Sequence, residues 1–222
     1  MYGRTRLGVD LGELPDEPIE LWEAAHVAHV ACGGHAGDAA SMRLALARCR
    51  VHGVAAGAHP SWPDRARFGR VSLGLGREAL KGTLREQLTA LREAALVEGV
   101  QLGHVKPHGA LYHDVDRDPA LAAALVEVAV EVWGEVALVG LPHGALAVAA
   151  AGRPFWTEAF PERGTLPDGR LVPRGEPGAL VTDPTAVAAR ARALRGVVDL
   201  LCVHGDSPGA VELARVVRAA LS

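Results

Sequence analysis

Short apolar runs alternate with amphipathic helical stretches along the whole of this 222-residue chain. The runs are rich in valine, as expected of strands that are buried on both faces. A strand, a helix and a second strand in succession build a parallel sheet, so the pattern predicts an α/β protein with either an open doubly wound sheet or a closed barrel. The predicted strands are residues 5–9, 26–32, 54–58, 101–105, 136–141 and 198–203.

The predicted helices carry recognisable start and stop signals. Asp118, Asp183 and Ser207 each precede a proline, which is typical of an N-cap followed by proline at the first helical position. Gly99 stands where a C-cap belongs, after a helix with leucines at intervals of three and four. The predicted helices are residues 39–52, 77–99, 119–133, 184–195 and 208–221.

One segment interrupts the alternation. Residues 152–178 are rich in glycine and proline and are predicted to form a long loop, with a hairpin around Pro167-Asp168-Gly169. A loop of that length in a compact domain usually has a function. The length of the chain and the absence of a linker predict a single domain over residues 1–222.

Composition excludes several classes of protein. A net charge of −3 argues against binding to a nucleic-acid backbone. No apolar run approaches the roughly 18 residues that span a membrane, and no signal peptide is evident, so a cytoplasmic protein is expected. Three cysteines without a CxxC pair predict buried thiols rather than disulfides or a cysteine-bound zinc. The two common phosphate-loop motifs are absent.

Polar residues follow five of the predicted strands. The carboxyl ends of parallel strands meet at one rim of a sheet or barrel, so these side chains are predicted to form one site. In strand order they are Asp10 and Glu13, His35 and Asp38, His59, Lys106 and His108, and His204 and Asp206.

Each of these residues also has an ordinary structural interpretation. A single histidine at a strand end can be a packing residue, but the recurrence at equivalent positions favours a site. Asp38 can equally cap the helix that follows it. Lys106 is one of two lysines, and at the end of an apolar strand it needs an anionic partner: a substrate carboxylate or phosphate, Asp10 or Glu13. The histidines predicted to lie at the surface or in packing are His26, His52, His113 and His143.

Six segments resemble the LamB/YcsF family. They are DLGE (10–13), ACGGHAGD (31–38), GAHP (57–60) with Phe68-Gly69-Arg70, VKPHGALY (105–112), LVPR (171–174) and CVHGD (202–206). Together they cover nearly the whole chain. The sequence departs from the family pattern at Arg6 and Gly8, where an acidic residue and Asn are usual, at His29 in place of Asn, at Gly34 in place of an aromatic residue, and at Glu162.

The resemblance implies a fold and an activity. The fold is an irregular seven-stranded β/α barrel, similar to that of the glycoside hydrolases and polysaccharide deacetylases. The activity is the cleavage of 5-oxo-L-proline, a small anionic lactam, to L-glutamate with binding and hydrolysis of ATP, in a complex with partner subunits B and C. The oligomeric state of the chain itself stays open, with a homo-oligomer as one option.

The resemblance also implies roles for residues. Lys106 would neutralise a carboxylate or phosphate, Asp10 or Glu13 would act as general base, and histidines would transfer protons. The predicted catalytic residues are Asp10, Glu13, His59, Lys106, His108, His204 and Asp206. The predicted substrate-binding residues are His35, Asp38, Arg70 and Arg174.

Two alternatives stay open. The first is a metal-dependent deacetylase or amidohydrolase that acts on a carbohydrate or small amide. By analogy with the deacetylases, a divalent metal would then be bound by Asp10, His35, His59 and His204. The second is a non-catalytic subunit that presents substrate.

Overall fold

Seven parallel strands close into a barrel in the computed structural model, which describes residues 5–166 and 171–222. The strands follow one another around the barrel in chain order, and the first pairs with the last, Arg6 opposite Leu200 and Asp10 opposite His204. The strands are β1 (Arg6–Leu11), β2 (Val27–Ala31), β3 (Ala55–His59), β4 (Leu102–Val105), β5 (Ala137–Gly140), β6 (Phe155–Ala159) and β7 (Leu200–His204). The seven-stranded barrel is confirmed.

Helices surround the barrel and bury their apolar faces against it. Leu80, Leu84, Leu88 and Leu91, at intervals of three and four, are all fully buried, and each contributes about 1.5–3 kcal/mol by leaving water. The helices are α1 (Ile19–Ala24), α2 (Ala39–His52), α3 (Arg77–Glu98), α4 (Gly109–Arg117), α5 (Pro119–Trp133), α6 (Ala145–Ala149), α7 (Pro184–Leu194) and α8 (Ala210–Leu221). No helix in the described ranges is long and apolar enough to cross a membrane.

Most of the predicted start and stop signals of the helices are confirmed. The carboxylates of Asp118 and Asp183 accept hydrogen bonds from the first backbone N–H groups of α5 and α7, and Gly99 ends α3 in the left-handed conformation. The prediction for Ser207 was wrong, because α8 begins after Gly209 and the Ser207 hydroxyl lies 3.2 Å from Glu162. The sequence patterns did not predict the three shorter helices α1, α4 and α6.

Strand β6 lies in the segment that was predicted to be a loop. Its residues, Phe-Trp-Thr-Glu-Ala, are only partly apolar and follow Gly152 and Pro154, so the local sequence favours a loop, whereas pairing with β5 and β7 fixes a strand. Antiparallel bridges join Arg163 to Leu180 and Thr165 to Leu171 farther along. The predicted hairpin at Pro167-Asp168-Gly169 lies outside the described residues.

Candidate active site

The carboxyl ends of the strands surround a cavity of about 480 Å³. Its floor is formed by side chains that were predicted to lie at the ends of strands. Those that line it are Asp10, His59, Lys106, His108 and His204. The barrel topology therefore brings together residues that lie up to 194 positions apart in the chain.

A buried ion pair joins β1 to the segment after β4. The Lys106 ammonium lies 2.6 Å from Asp10 Oδ1 and 3.1 Å from the Cys202 sulfur. Burial alone would raise the pKa of Asp10, but His59 and the Lys106 ammonium, which lie against its carboxylate, hold it well below its ordinary value. Burial alone would lower the pKa of Lys106, but Asp10 holds it well above. Of the two carboxylates of the chain predicted as partners for Lys106, Asp10 is the one that lies against its ammonium.

Three histidine side chains that stack on or contact one another form what we call the upper histidine group: His35, His59 and His108. His59 places Nε2 3.2 Å from Asp10 Oδ2 and 3.0 Å from His108 Nδ1. His35 stacks on His108 with ring centroids 3.6 Å apart. Burial lowers the pKa of all three imidazoles, so they are neutral at pH 7.

Glu13 links the members of this group. Its Oε1 lies 2.9 Å from His35 Nε2 and 3.3 Å from His108 Nδ1. Burial, and then the negative charge of Asp10, raise the pKa of Glu13 well above its ordinary value. The loop that presents Glu13 is shaped by Glu17, whose carboxylate accepts the backbone N–H groups of Gly12 and Glu13 at 2.8 Å.

His204, at the end of β7, forms a separate dyad with Glu162. The ring donates Nδ1–H to the Glu162 carboxylate, which the backbone N–H of His204 also approaches at 3.1 Å. The other ring nitrogen, Nε2, lies 3.9 Å from Asp10 Oδ2, and the His204 side chain lines the cavity. Glu162 supplies the carboxylate that orients His204.

Arginines line the wall of the cavity. Arg163 is held by the carbonyls of Ala179 and Val172, at 3.0 and 2.7 Å. Burial, and then the nearby Arg174, lower its pKa to about 10. Asp206 pairs with Arg70 and lies 3.8 Å from Arg174, so it orients these cations. The wall is thus suited to an anionic group.

Some predicted residues lie away from the cavity lining. Asp38 caps α2 by accepting the Ser41 N–H at 2.9 Å. His35 lies behind His108, and Asp206 contacts the arginines. Conversely, His113, which was predicted to lie at the surface or in packing, lines the cavity, and burial lowers its pKa to about 4.

Glu158 was missed because it lies on the strand that was not predicted. It is buried, with Oε2 3.7 Å from the Lys106 ammonium. Burial raises its pKa to about 7, although Lys106 opposes the shift. Neither of its oxygens has a hydrogen-bond partner among the described residues. The one sequence signal for Glu158 was its position close to the aromatic residues Phe155, Trp156 and Phe160.

Below the upper group lies what we call the lower histidine pair, His29 and His104. Their Nδ1 and Nε2 atoms are 2.8 Å apart, and both rings are fully buried. A Cβ atom on Gly8 would lie 2.6 Å from His29 Nε2, and one on Gly57 would lie 2.4 Å from the His104 ring. Gly8 and His29 are therefore sterically coupled.

The upper site also offers ligands for a metal ion. Asp10, Glu13, His59 and His108 each present an atom within 4.8 Å of the others, and nitrogen and oxygen donors of this kind suit a divalent transition metal. The metal ligands predicted from the sequence were Asp10, His35, His59 and His204. In the structure, Glu13 and His108 take the places of His35 and His204 in this group. A second group, Asp10, His29 and Cys202, is also close together, but the Lys106 ammonium already lies against two of its three members.

Comparisons with known proteins agree on one family. The model of the LamB/YcsF family matches residues 7–222. A protein of Chloroflexus aggregans described as the A subunit of 5-oxoprolinase is 42% identical, over 98% of this chain and 89% of the relative. A protein of Pyrococcus horikoshii with the same description is 37% identical, over 99% and 89%. The solved structure of a lactam utilization protein from Thermus thermophilus superposes with a TM-score of 0.90 at 35% identity, covering 99% of this chain and 96% of the other.

Proposed function

The chain belongs to the LamB/YcsF family, and on that premise we propose that it is the A subunit of a 5-oxoprolinase, which opens 5-oxo-L-proline to L-glutamate in a complex. The observation that carries the proposal is the cavity, whose floor holds the Asp10–Lys106 pair beside neutral histidines and whose wall is cationic. Such a cavity suits a small anionic amide. The names of the relatives supply the specific lactam.

Substrate recognition follows from the charges. The carboxylate of 5-oxoproline would pair with the arginines of the cavity wall, since guanidinium groups bind carboxylates with two parallel hydrogen bonds. Arg70 and Arg174, oriented by Asp206, are the best placed. The lactam ring would then lie toward Asp10 and Lys106.

A lactam carbonyl is a poor electrophile, so ATP is consumed. Transfer of the terminal phosphoryl group of ATP to the amide oxygen, with release of ADP, would activate the carbon for attack by water. Breaking the ring C–N bond would then leave the acyl phosphate of glutamate, and a second water molecule would hydrolyse it to L-glutamate and inorganic phosphate. We place the nucleotide on a partner, B or C, because this chain has neither common phosphate-loop motif. The arginines would then also bind the phosphoryl group.

The proton transfers fall to the His204–Glu162 dyad. Because Nδ1–H is donated to Glu162, Nε2 carries a lone pair that faces the cavity and can accept a proton from water. The resulting imidazolium is stabilised by Glu162 and can return the proton to the departing nitrogen. Lys106 provides a fixed positive charge beside the reacting centre.

A divalent metal ion, where bound by Asp10, Glu13, His59 and His108, would polarise a carbonyl or acidify a water molecule. This ligand set favours a second candidate function, a metal-dependent amidohydrolase that needs neither ATP nor partners. Opening of a small cyclic amide by the isolated chain in the absence of ATP would support that candidate over the first.

The experiment is ATP-dependent glutamate release from 5-oxoproline, measured with the chain alone, with the partner subunits alone and with the reconstituted complex. We expect release by the complex only. Undiminished release by the partners without this chain would overturn the proposal. Full release by a complex that carries His204→Gln would instead assign the chain a non-catalytic, substrate-presenting role.

A further inference from the structure

The positions of protons on the two central imidazoles follow from their main-chain partners. His59 Nδ1 lies 2.8 Å from the carbonyl oxygen of Lys106, and His108 Nε2 lies 3.0 Å from that of Phe68. A carbonyl can only accept, so each of these nitrogens carries the hydrogen of its neutral ring. The other nitrogens, His59 Nε2 and His108 Nδ1, therefore have bare lone pairs, and they face each other at 3.0 Å.

Two carboxylate oxygens lie close to these two ring nitrogens. Asp10 Oδ2 lies 3.2 Å from His59 Nε2, and Glu13 Oε1 lies 3.3 Å from His108 Nδ1 and 3.8 Å from His59 Nε2. Four buried acceptor atoms thus converge, and acceptors at these distances repel unless a proton or a cation lies between them. One proton on Glu13 would satisfy one of these contacts and leave the His59–Asp10 contact unmet.

The nearest cation of the protein, the Lys106 ammonium, does not lie between these four acceptor atoms. The Lys106 ammonium bonds Asp10 through Oδ1, the other oxygen of the carboxylate. This contact orients Asp10 and leaves Oδ2 free to bind as a single ligand atom. Histidines that bind metals usually donate their second ring N–H to a carbonyl or carboxylate, as His59 and His108 do.

We propose that Asp10, Glu13, His59 and His108 bind one divalent transition metal ion of the zinc type, through Oδ2, Oε1, Nε2 and Nδ1 respectively. Three of the four ligands line the cavity, so the ion has a face toward whatever the cavity binds. His35 orients Glu13 from behind at 2.9 Å. His204 is excluded from the set because Glu162 holds its Nδ1 and its Nε2 lies 3.9 Å from Asp10.

The test is metal binding by the purified chain, after treatment with a chelator, measured by titration with Zn²⁺ and by the visible absorption of bound Co²⁺. We expect one ion per chain and a cobalt spectrum with nitrogen and oxygen ligands. Loss of a residue that hydrogen-bonds a metal ligand typically weakens metal binding by roughly 10–100-fold. Because His59 and Glu13 are proposed as ligands themselves, His59→Gln and Glu13→Gln should weaken zinc binding by at least that factor. Circular dichroism before titration verifies that each variant is folded.

His204→Gln is the matched control, since it removes an imidazole from the same cavity but outside the proposed set. It should bind zinc like the wild type. Absence of stoichiometric binding in the wild type, or an equal loss of affinity in His204→Gln and His59→Gln, would overturn the proposal. The measurement needs no substrate, so its failure is distinct from failure of the oxoprolinase activity.

Discussion

The upper histidine group and the lower histidine pair contain the same residue type, at the same degree of burial, in adjacent layers of one barrel. His59 of the upper group contacts Asp10 and His108 and lines the cavity. His29 and His104 of the lower pair are hydrogen-bonded to each other and held in slots left by Gly8 and Gly57. Burial alone therefore does not mark a reactive histidine; carboxylate neighbours and access to the cavity do.

The largest effect is expected at the ion pair that anchors the upper group. Lys106→Met leaves Asp10 buried without its cation, so unfolding free energy should fall by about 3–5 kcal/mol, and activity of the complex should be lost. Denaturant unfolding and the glutamate-release assay measure the two quantities. Adding Asp10→Asn should recover part of the stability but none of the activity. Wild-type turnover by Lys106→Met would disprove its role.

A matched pair of substitutions compares the two layers directly. His59→Leu and His104→Leu each break a buried hydrogen bond and should each cost about 1–3 kcal/mol. Only His59→Leu should reduce turnover, by about 100-fold or more, because it removes an imidazole that contacts Asp10 and lines the cavity. Rates are corrected for the folded fraction at the assay temperature. Equal losses of activity would show that the two layers do not differ in function.

Glu158 is buried beside the Lys106 ammonium, and ionisation of its carboxyl gives a smaller effect that depends on pH. A carboxyl whose folded pKa is raised to about 7 contributes stability below its unfolded pKa near 4.5 and loses that contribution as pH rises to 7. Glu158→Gln should therefore gain stability relative to the wild type over this window, reaching about 3 kcal/mol above pH 7. A difference in unfolding free energy that stays constant between pH 4.5 and 8 would contradict the assignment.

The smallest effect is expected at Asp38, outside both layers. Asp38→Ala removes the N-cap of α2 and should cost about 1 kcal/mol of stability while leaving the KM for 5-oxoproline unchanged. The same assay tests the predicted role of Asp38 in substrate binding. A raised KM with unaltered stability would favour that role over capping.

Much of the upper site could be predicted because each of its residues follows a recognisable strand, and parallel strands end on one rim. Glu158 could not be predicted, because its strand is defined by pairing with β5 and β7 rather than by its own composition. The lower histidine pair could not be predicted from the sequence either. The fit of His29 against Gly8 depends on the register between β1 and β2, which appears only when the barrel closes.

The role proposed for the cavity, which His59 lines, is ring opening after a partner has activated the lactam. It is tested most directly by measuring ATP hydrolysis and glutamate release in the same sample, with complexes reconstituted from wild-type chain or His59→Leu. We expect the His59→Leu complex still to hydrolyse ATP when 5-oxoproline is present but to release glutamate at least about 100-fold more slowly than wild type. Glutamate release at the wild-type rate from the folded variant would contradict it.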